Sequence, residues 1–156
     1  MKEVVVTSGV LKQVLRFACE KLGEGPGGCL GSEVSGLLMG LEGKNDILID
    51  AAVTGNQISK PFYTSLSDGF LAEVAKDISN GRMHGRILGW FHSHPGLGLF
   101  LSSIDVRSMR NMQRLNQNTV ALVVDPLTED KFRFYRYDFG QDRPYSLKAR
   151  VIPHDP

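Results

Sequence analysis

Cysteine is scarce in this chain: there are two in 156 residues, Cys19 and Cys29. Neither sits in a Cys-x-x-Cys pair, which excludes a disulfide framework and reads as reduced, intracellular thiols. A reactive thiol is disfavoured too. Cys19 falls on an expected helix and Cys29 in a glycine-rich loop, with no histidine nearby in sequence. Net charge is also nearly absent: 18 Lys and Arg against 17 Asp and Glu leave +1. That removes the electrostatic case for nucleic acid or an anionic membrane. No apolar run is long enough to cross a bilayer and no signal peptide opens the chain, so a cytoplasmic location is expected. No internal repeat is visible.

What remains is an ordinary globular composition, 42% hydrophobic and 22% charged. It is long enough for a single domain with a true core. We expect that domain over residues 1–139 and a polar tail over 140–156, with three prolines, that frays or docks loosely. The expected element order is β-α-β-β-α-β-α-β-β, an α/β protein with one mixed sheet and helices on its faces.

The first strand is Glu3 to Val6, and Thr7 or Ser8 caps a helix to about Leu22 with Val10, Leu11, Val14, Leu15 and Ala18 on one face. Gly23 ends that helix. Residues 23–32 are glycine-rich, but lack the lysine and following helix of a phosphate-binding loop. A strand runs over Val34 to Leu41, turns at 42–45, and returns over Asp46 to Thr54. Residues 55–66 read as irregular, and Ser67 caps a helix to about Asn80. After the central motif, a helix from Ser102 to about Asn116 turns Val106, Met109 and Met112 inward and Arg107, Arg110 and Arg114 outward. Strands follow at Thr119 to Asp125 and at Lys131 to Phe139, the last expected.

The chemistry concentrates in Gly89-Trp-Phe-His-Ser-His-Pro-Gly96 and the segment after it. Arg86 to Phe91 is a strand, so Trp90, His92 and His94 share one face while Phe91 and Ser93 share the other. Two imidazoles at i and i+2 can grip one ion. Pro95 and Gly96 end the strand. Seven residues separate His94 from Ser102, and two more separate Ser102 from Asp105. Two histidines and a carboxylate make three zinc ligands with a fourth position left for water. Blander readings stand beside this one. A His-x-His pair also suits a solvated strand edge, and Ser102 with Asp105 is a helix capping box. Glu33, at the mouth of an apolar strand, also fits a solvated edge. His84 belongs to no motif and reads as solvated.

The full spacing resembles the JAMM (MPN+) zinc metalloprotease family: an upstream glutamate, His-(Ser/Thr)-His-Pro, then a serine and an aspartate. Glu33, His92, His94, Ser102 and Asp105 match without departure. The flanks Glu33–Gly40, Gly89–Gly96 and Val123–Pro126 look most like the deubiquitinating branch found in the proteasome lid. The resemblance covers roughly residues 3–137. It implies an MPN-type fold with a curved mixed sheet and one Zn2+ held by His92, His94 and Asp105. It makes Glu33 the general base and Ser102 the donor to the oxyanion. It implies hydrolysis of the isopeptide bond between the terminal glycine of ubiquitin, or a ubiquitin-like modifier, and a lysine. It also implies that residues 55–66 pair with the modifier's tail, and that a proteasome or another MPN subunit is a partner. Ser35 and Gly36 are small, so we expect that tail to lie extended across the sheet edge at the Glu33 strand. The apolar loop 95–101 is expected to wall the metal or to meet a partner. Long C-terminal helices of the kind that dock lid subunits are not expected.

Alternatives stay open within the family: a hydrolase of a sulfur-carrier-like protein or small substrate, or a metal-free scaffold. A zinc deaminase would need His-x-Glu and a later Cys-x-x-Cys, and a serine hydrolase a Gly-x-Ser-x-Gly elbow; neither is present.

Overall fold

The computed structural model describes residues 1–20, 33–54, 57–60, 63–66 and 68–154. The elements are β1 (Glu3–Thr7), α1 (Ser8–Glu20), β2 (Ser35–Glu42), β3 (Asp46–Val53), β4 (Gln57–Lys60), β5 (Tyr63–Leu66), α2 (Asp68–Ser79), β6 (Arg86–Ser93), α3 (Ser103–Leu115), β7 (Val120–Val124), β8 (Phe132–Asp138), β9 (Arg143–Leu147) and β10 (Arg150–Ile152). The expected helix stop at Gly23, the loop 23–32 with Cys29, and the cap at Ser67 lie outside the described residues.

Eight strands form one mixed sheet in the order β10-β1-β3-β2-β6-β7-β8-β9, and β4 and β5 form a separate hairpin. Strand β1 runs parallel to β10 and β3, and β6 parallel to β7; the other neighbours are antiparallel. Only Lys148 and Ala149 lie between β9 and β10, which sit at opposite ends of the strand order. Three chain steps reach at most about 11 Å. The sheet is therefore curled until its two ends nearly meet.

Apolar residues on the two faces of the sheet bury separately. On one face, Val10, Leu11, Val14 and Ala18 of α1 pack with Val4, Val6, Ile47, Phe91, Leu122 and Phe134. On the other, Val74 of α2 and Met109 of α3 pack with Leu37, Met39, Trp90, Ala121 and Tyr137. Phe91 and Trp90 thus take opposite faces, as alternation requires. The alternation slips once upstream, where Leu38 pairs with Gly89 but Met39 with Ile87, leaving Leu88 as the extra residue of a bulge.

Three expectations are corrected. Of the expected loose tail over 140–156, the described part, 140–154, is not loose, because β9 and β10 join the sheet at both of its ends. Tyr145 and Leu147 pair across from Arg136 and Phe134, so the polar sequence belongs to half-exposed edge strands. Residues 55–66, read as irregular, contain the β4–β5 hairpin. Finally, β2 is no edge: it pairs with β3 on one side and β6 on the other. Gly36 leaves no space for a substrate there, since a Cβ would fall 2.2 Å from the Val53 carbonyl oxygen and 2.5 Å from the Phe91 ring. Its smallness lets the backbone of β3 at Val53 and the Phe91 ring approach closely, as expected for a backbone neighbour and not for a ligand.

Some exposures differ as well. Arg110 is half-buried and stacks over the Tyr137 ring with its guanidinium carbon 5.2 Å from the centroid. Arg136 is buried, and it donates to the Lys2 carbonyl at 2.8 Å and the Asn118 carbonyl at 2.7 Å. His84 is exposed.

Candidate metal centre

Three pieces of chain converge where β6 leaves the sheet. His92 is the next-to-last residue of β6, and His94 follows just beyond it, tied by its N–H to the Val124 carbonyl at 2.8 Å. Their rings stand edge to face with centroids 4.7 Å apart. Glu33 arrives just ahead of β2. The ladder between β2 and β6 continues one residue past Ser35 and His92, because Ser93 donates its N–H to the Val34 carbonyl and its Oγ accepts from the Val34 N–H at 2.7 Å. Ser93 faces away from the histidines and anchors the residue next to Glu33.

The third piece is the start of α3. Ser102 is its N-cap and Asp105 the reciprocal member of a capping box: the Asp105 N–H donates to Ser102 Oγ at 3.1 Å, and the Ser102 N–H to Asp105 Oδ2 at 2.9 Å. Capping satisfies two orphan amides of the helix end and fixes the carboxylate. The capping and site readings coincide, because Asp105 Oδ1 lies 2.6 Å from His92 Nδ1 and Oδ2 lies 3.1 Å from His94 Nε2. On the far side of the ring, His92 Nε2 lies 3.0 Å from Glu33 Oε2.

All four residues are buried, none more than 3% exposed, and Ser102 is half-buried. The bland reading of the histidines and Glu33 as solvated edge residues is thereby excluded. Burial disfavours a charged His92 ring, but the hydrogen bonds and charges of Asp105 and Glu33 outweigh it and raise the ring to about 9. Burial pushes the Asp105 carboxyl up, yet His92 and His94, with the Ser102 amide, hold it well below the usual carboxylate range.

A metal ion fits this donor set. Glu33, His92 and His94 offer ligand atoms within 4.8 Å of one another. His94 Nδ1 is buried with no hydrogen-bond partner among the described residues. Imidazole nitrogens and carboxylate oxygens are the borderline ligands that zinc takes. The sequence grouped Asp105 with the histidines and set Glu33 apart. In the structure both carboxylates touch His92, one on each ring nitrogen.

The wall of the site is the loop 95–101. Phe100, 48% exposed, lays its ring 4.6 Å from that of His94. Leu97, Leu99 and Leu101 are half-buried. Sequence reasoning missed Asp125, which is fully buried and binds the amides of Gly96 and Gly98 in this loop. In sequence it shows as the acidic residue closing an otherwise apolar strand, within the family-like segment Val123–Pro126.

Fold and site define an MPN-type domain with a potential Glu/His/His metal site. A sequence model of the family described as JAB1/Mov34/MPN/PAD-1 ubiquitin protease matches residues 1–118, and the chain belongs to that family. Among curated relatives, "Ubiquitin carboxyl-terminal hydrolase RPN11" of Saccharomyces cerevisiae is 31% identical over 101 residues, which is 64% of this chain and 33% of that protein. "26S proteasome non-ATPase regulatory subunit 14" of Dictyostelium discoideum is 51% identical over 41 residues, 26% of this chain and 13% of that one. The chain thus matches a third or less of the length of these relatives. The solution structure of protein DSY2949 from Desulfitobacterium hafniense superposes with a TM-score of 0.68 at 18% identity, covering 97% of this chain and 93% of the other. The crystal structure of AF2198, a JAB1/MPN domain protein from Archaeoglobus fulgidus, does so with a TM-score of 0.56 at 17% identity, covering 97% and 99%. These two likenesses concern the fold alone. Among the described residues no helix is long and apolar enough to cross a membrane.

Proposed function

We propose that this chain is a zinc-dependent isopeptidase. Its bond is that between the C-terminal glycine of ubiquitin, or a ubiquitin-like modifier, and a lysine amine. The observation that carries this reading is the buried constellation of Glu33, His92, His94 and Asp105 at a capped helix start, with the Ser102 hydroxyl beside it. In this reading His92, His94 and Asp105 hold the ion and Glu33 is the base. Bound zinc lowers the pKa of water to about 7 and polarises a carbonyl oxygen.

Glu33 takes the proton of the attacking water as its oxygen adds to the glycine carbonyl carbon. The same carboxylate then delivers that proton to the lysine nitrogen as the C–N bond breaks, leaving a free acid and a free amine. Ser102 Oγ accepts from the Asp105 amide, which leaves its O–H free to donate. It donates to the carbonyl oxygen as that atom gains charge. Water attacks directly, so no acyl-enzyme forms. The modifier's tail extends along the β4–β5 hairpin, which stands outside the main sheet. Relatives named as 26S proteasome subunits support a proteasome-type assembly or a second MPN subunit as partner.

The test is metal analysis and hydrolysis by the purified chain, against ubiquitin dimers and a ubiquitin-like fusion. Cleavage that chelation stops and zinc restores is expected. A zinc-loaded chain that cleaves neither overturns the substrate class, and a chain that takes up no metal points to a scaffold.

A further inference from the structure

Asp125 follows β7 and is 0% exposed, yet no cation pairs with it among the described residues. A buried carboxylate without a counter-ion persists only where hydrogen bonds to the charged form replace water. Here three main-chain amides do so. Oδ1 accepts from Gly96 and from Leu127, each at 3.0 Å, and Oδ2 accepts from Gly98 at 2.9 Å. The Leu127 bond, with the Asp125 N–H on the Lys131 carbonyl at 2.9 Å, fixes the carboxylate within its own turn. Gly96 and Gly98 belong to a different segment, the seven-residue connection from His94 to Ser102.

That connection has little freedom left. Gly96 and Gly98 have φ of 75° and 93°, the left-handed region that aims their amides at Asp125. Around Gly98 a Cβ would meet nothing within 4 Å, so glycine is needed there for its backbone and not for space. From another side the Tyr135 hydroxyl donates to the Leu99 carbonyl. Beyond this clamp come Phe100, packed on His94, and then Ser102 and Asp105.

We propose that Asp125 is a positioning residue: through Gly96 and Gly98 it sets the path of the connection. That path brings the Ser102–Asp105 cap against His92 and His94. Asparagine cannot replace it. One amide oxygen would serve Gly96 and Leu127, but the NH2 group would face the Gly98 N–H, donor against donor. The consequence for turnover rests on the hydrolytic reading of the site; the clamp itself does not.

The experiment compares wild type, Asp125→Asn, Gly98→Ala, Ser102→Ala and the Asp125→Asn/Ser102→Ala double variant in the full chain. Three quantities are read: amide hydrogen exchange at positions 96 and 98 in chelated protein, zinc content, and kcat on a ubiquitin dimer. We expect faster exchange at both positions in Asp125→Asn, zinc content near wild type, and kcat lower by up to about 10²-fold, the scale of a ~1 Å misplacement. The double variant should lose less than the product of the two single losses, since Asp125 acts in part through Ser102. Unchanged exchange, or losses that multiply in the double variant, overturn the proposal. If Asp125→Asn does not fold, Gly98→Ala decides, because it strains the backbone without a clash; wild-type exchange and kcat in that variant overturn the proposal. If the wild type cleaves no isopeptide, the proposed function falls, and exchange at 96 and 98 still decides the clamp.

Discussion

Glu33 and His92 are 59 positions apart in sequence, yet their Oε2 and Nε2 atoms lie 3.0 Å apart in a site closed to solvent. The contact exists because Ser93 locks the residue after Glu33 to the strand that carries His92. It also separates two roles for the glutamate. As a base, Glu33 needs its charge; as a ligand it would also be needed to keep the metal. Glu33→Gln preserves shape and removes the proton acceptor. We expect it to fold and retain zinc while kcat falls by roughly 10²–10⁴-fold, the usual contribution of a positioned acid–base group. Loss of zinc in Glu33→Gln, measured by elemental analysis, would make Glu33 a ligand.

Metal removal should be felt in stability as well as activity. Two buried carboxylates and two buried imidazoles share one site, and His94 Nδ1 lacks a hydrogen-bond partner among the described residues. An ion bound only by the folded chain adds about 2.7 kcal/mol when free zinc is 100-fold above its Kd. Thermal unfolding should therefore move up as zinc is titrated into chelated protein. His94→Ala should abolish that movement. A midpoint insensitive to zinc in the wild type would argue that the site holds no metal.

The histidine pair and the helix cap were legible in sequence because their signals are local. His92 and His94 share a face by strand alternation, and Ser102 and Asp105 form a capping box three residues apart. The remainder depends on partners distant in the chain. Strands β9 and β10 carry little apolar pattern because each is an exposed edge, and only the curl of the sheet brings β10 to β1. Gly36 looked like an opening until Phe91 was found across from it. Asp125 finds its donors 27 and 29 positions upstream, a pairing that no periodicity announces.

Gln113 illustrates a second such feature with a measurable consequence. The pairing of β7 with β8 stops at Ala121 and Tyr135. Two residues further on, Gln113 of α3 takes over: its Oε1 accepts from the Tyr137 N–H at 2.6 Å and its Nε2 donates to the Tyr137 carbonyl at 3.0 Å. The side chain does for one residue what a strand would do. Gln113→Leu leaves both buried main-chain groups without partners and should lower stability by about 2–4 kcal/mol. Denaturant titration measures this. Zinc content well below the unfolding midpoint should be unchanged, and no loss of stability would mean that Tyr137 finds other partners.

Acid sensitivity has an identifiable contributor away from the metal. Glu42 accepts from the Asn116 amide at 3.0 Å, from Arg86 at 3.0 Å, and lies 3.7 Å from Lys2. The Asn116 hydrogen bond, with smaller help from Lys2 and Arg86 against partial burial, lowers its carboxyl below the ordinary value. A carboxyl depressed on folding contributes stability that is present above its unfolded pKa, about 4.3, and is lost as pH falls through the folded value. In chelated protein, wild type should therefore lose stability more steeply below pH of about 4 than Glu42→Gln does. Parallel pH profiles for the two would show that Glu42 carries no such linkage.

The substrate tail gives the sharpest test of the proposed reaction. Strand β2, beside Glu33, is paired on both sides and cannot accept a new strand. The β4–β5 hairpin is not part of that sheet, so an incoming extended chain has main-chain groups there with which to pair. Such pairing is indifferent to most side chains of the tail. Close to the metal site the demand changes: the Phe100 ring lies 4.6 Å from His94, and Trp90 lies 5.9 Å from His92. We expect these rings to leave little room for a side chain on the residue that carries the scissile carbonyl. A modifier ending in glycine should therefore be cleaved, and the same modifier ending in valine should not, because its branched Cβ meets this wall. Binding of the valine form to the Glu33→Gln variant should weaken in parallel, since exclusion acts before chemistry. Proline placed in β4 or β5 should slow cleavage of the glycine form with zinc intact, by removing an amide from the hairpin. Equal cleavage of glycine and valine forms, unaffected by the proline, would identify a hydrolase that uses the metal site on a small substrate and makes no use of the hairpin.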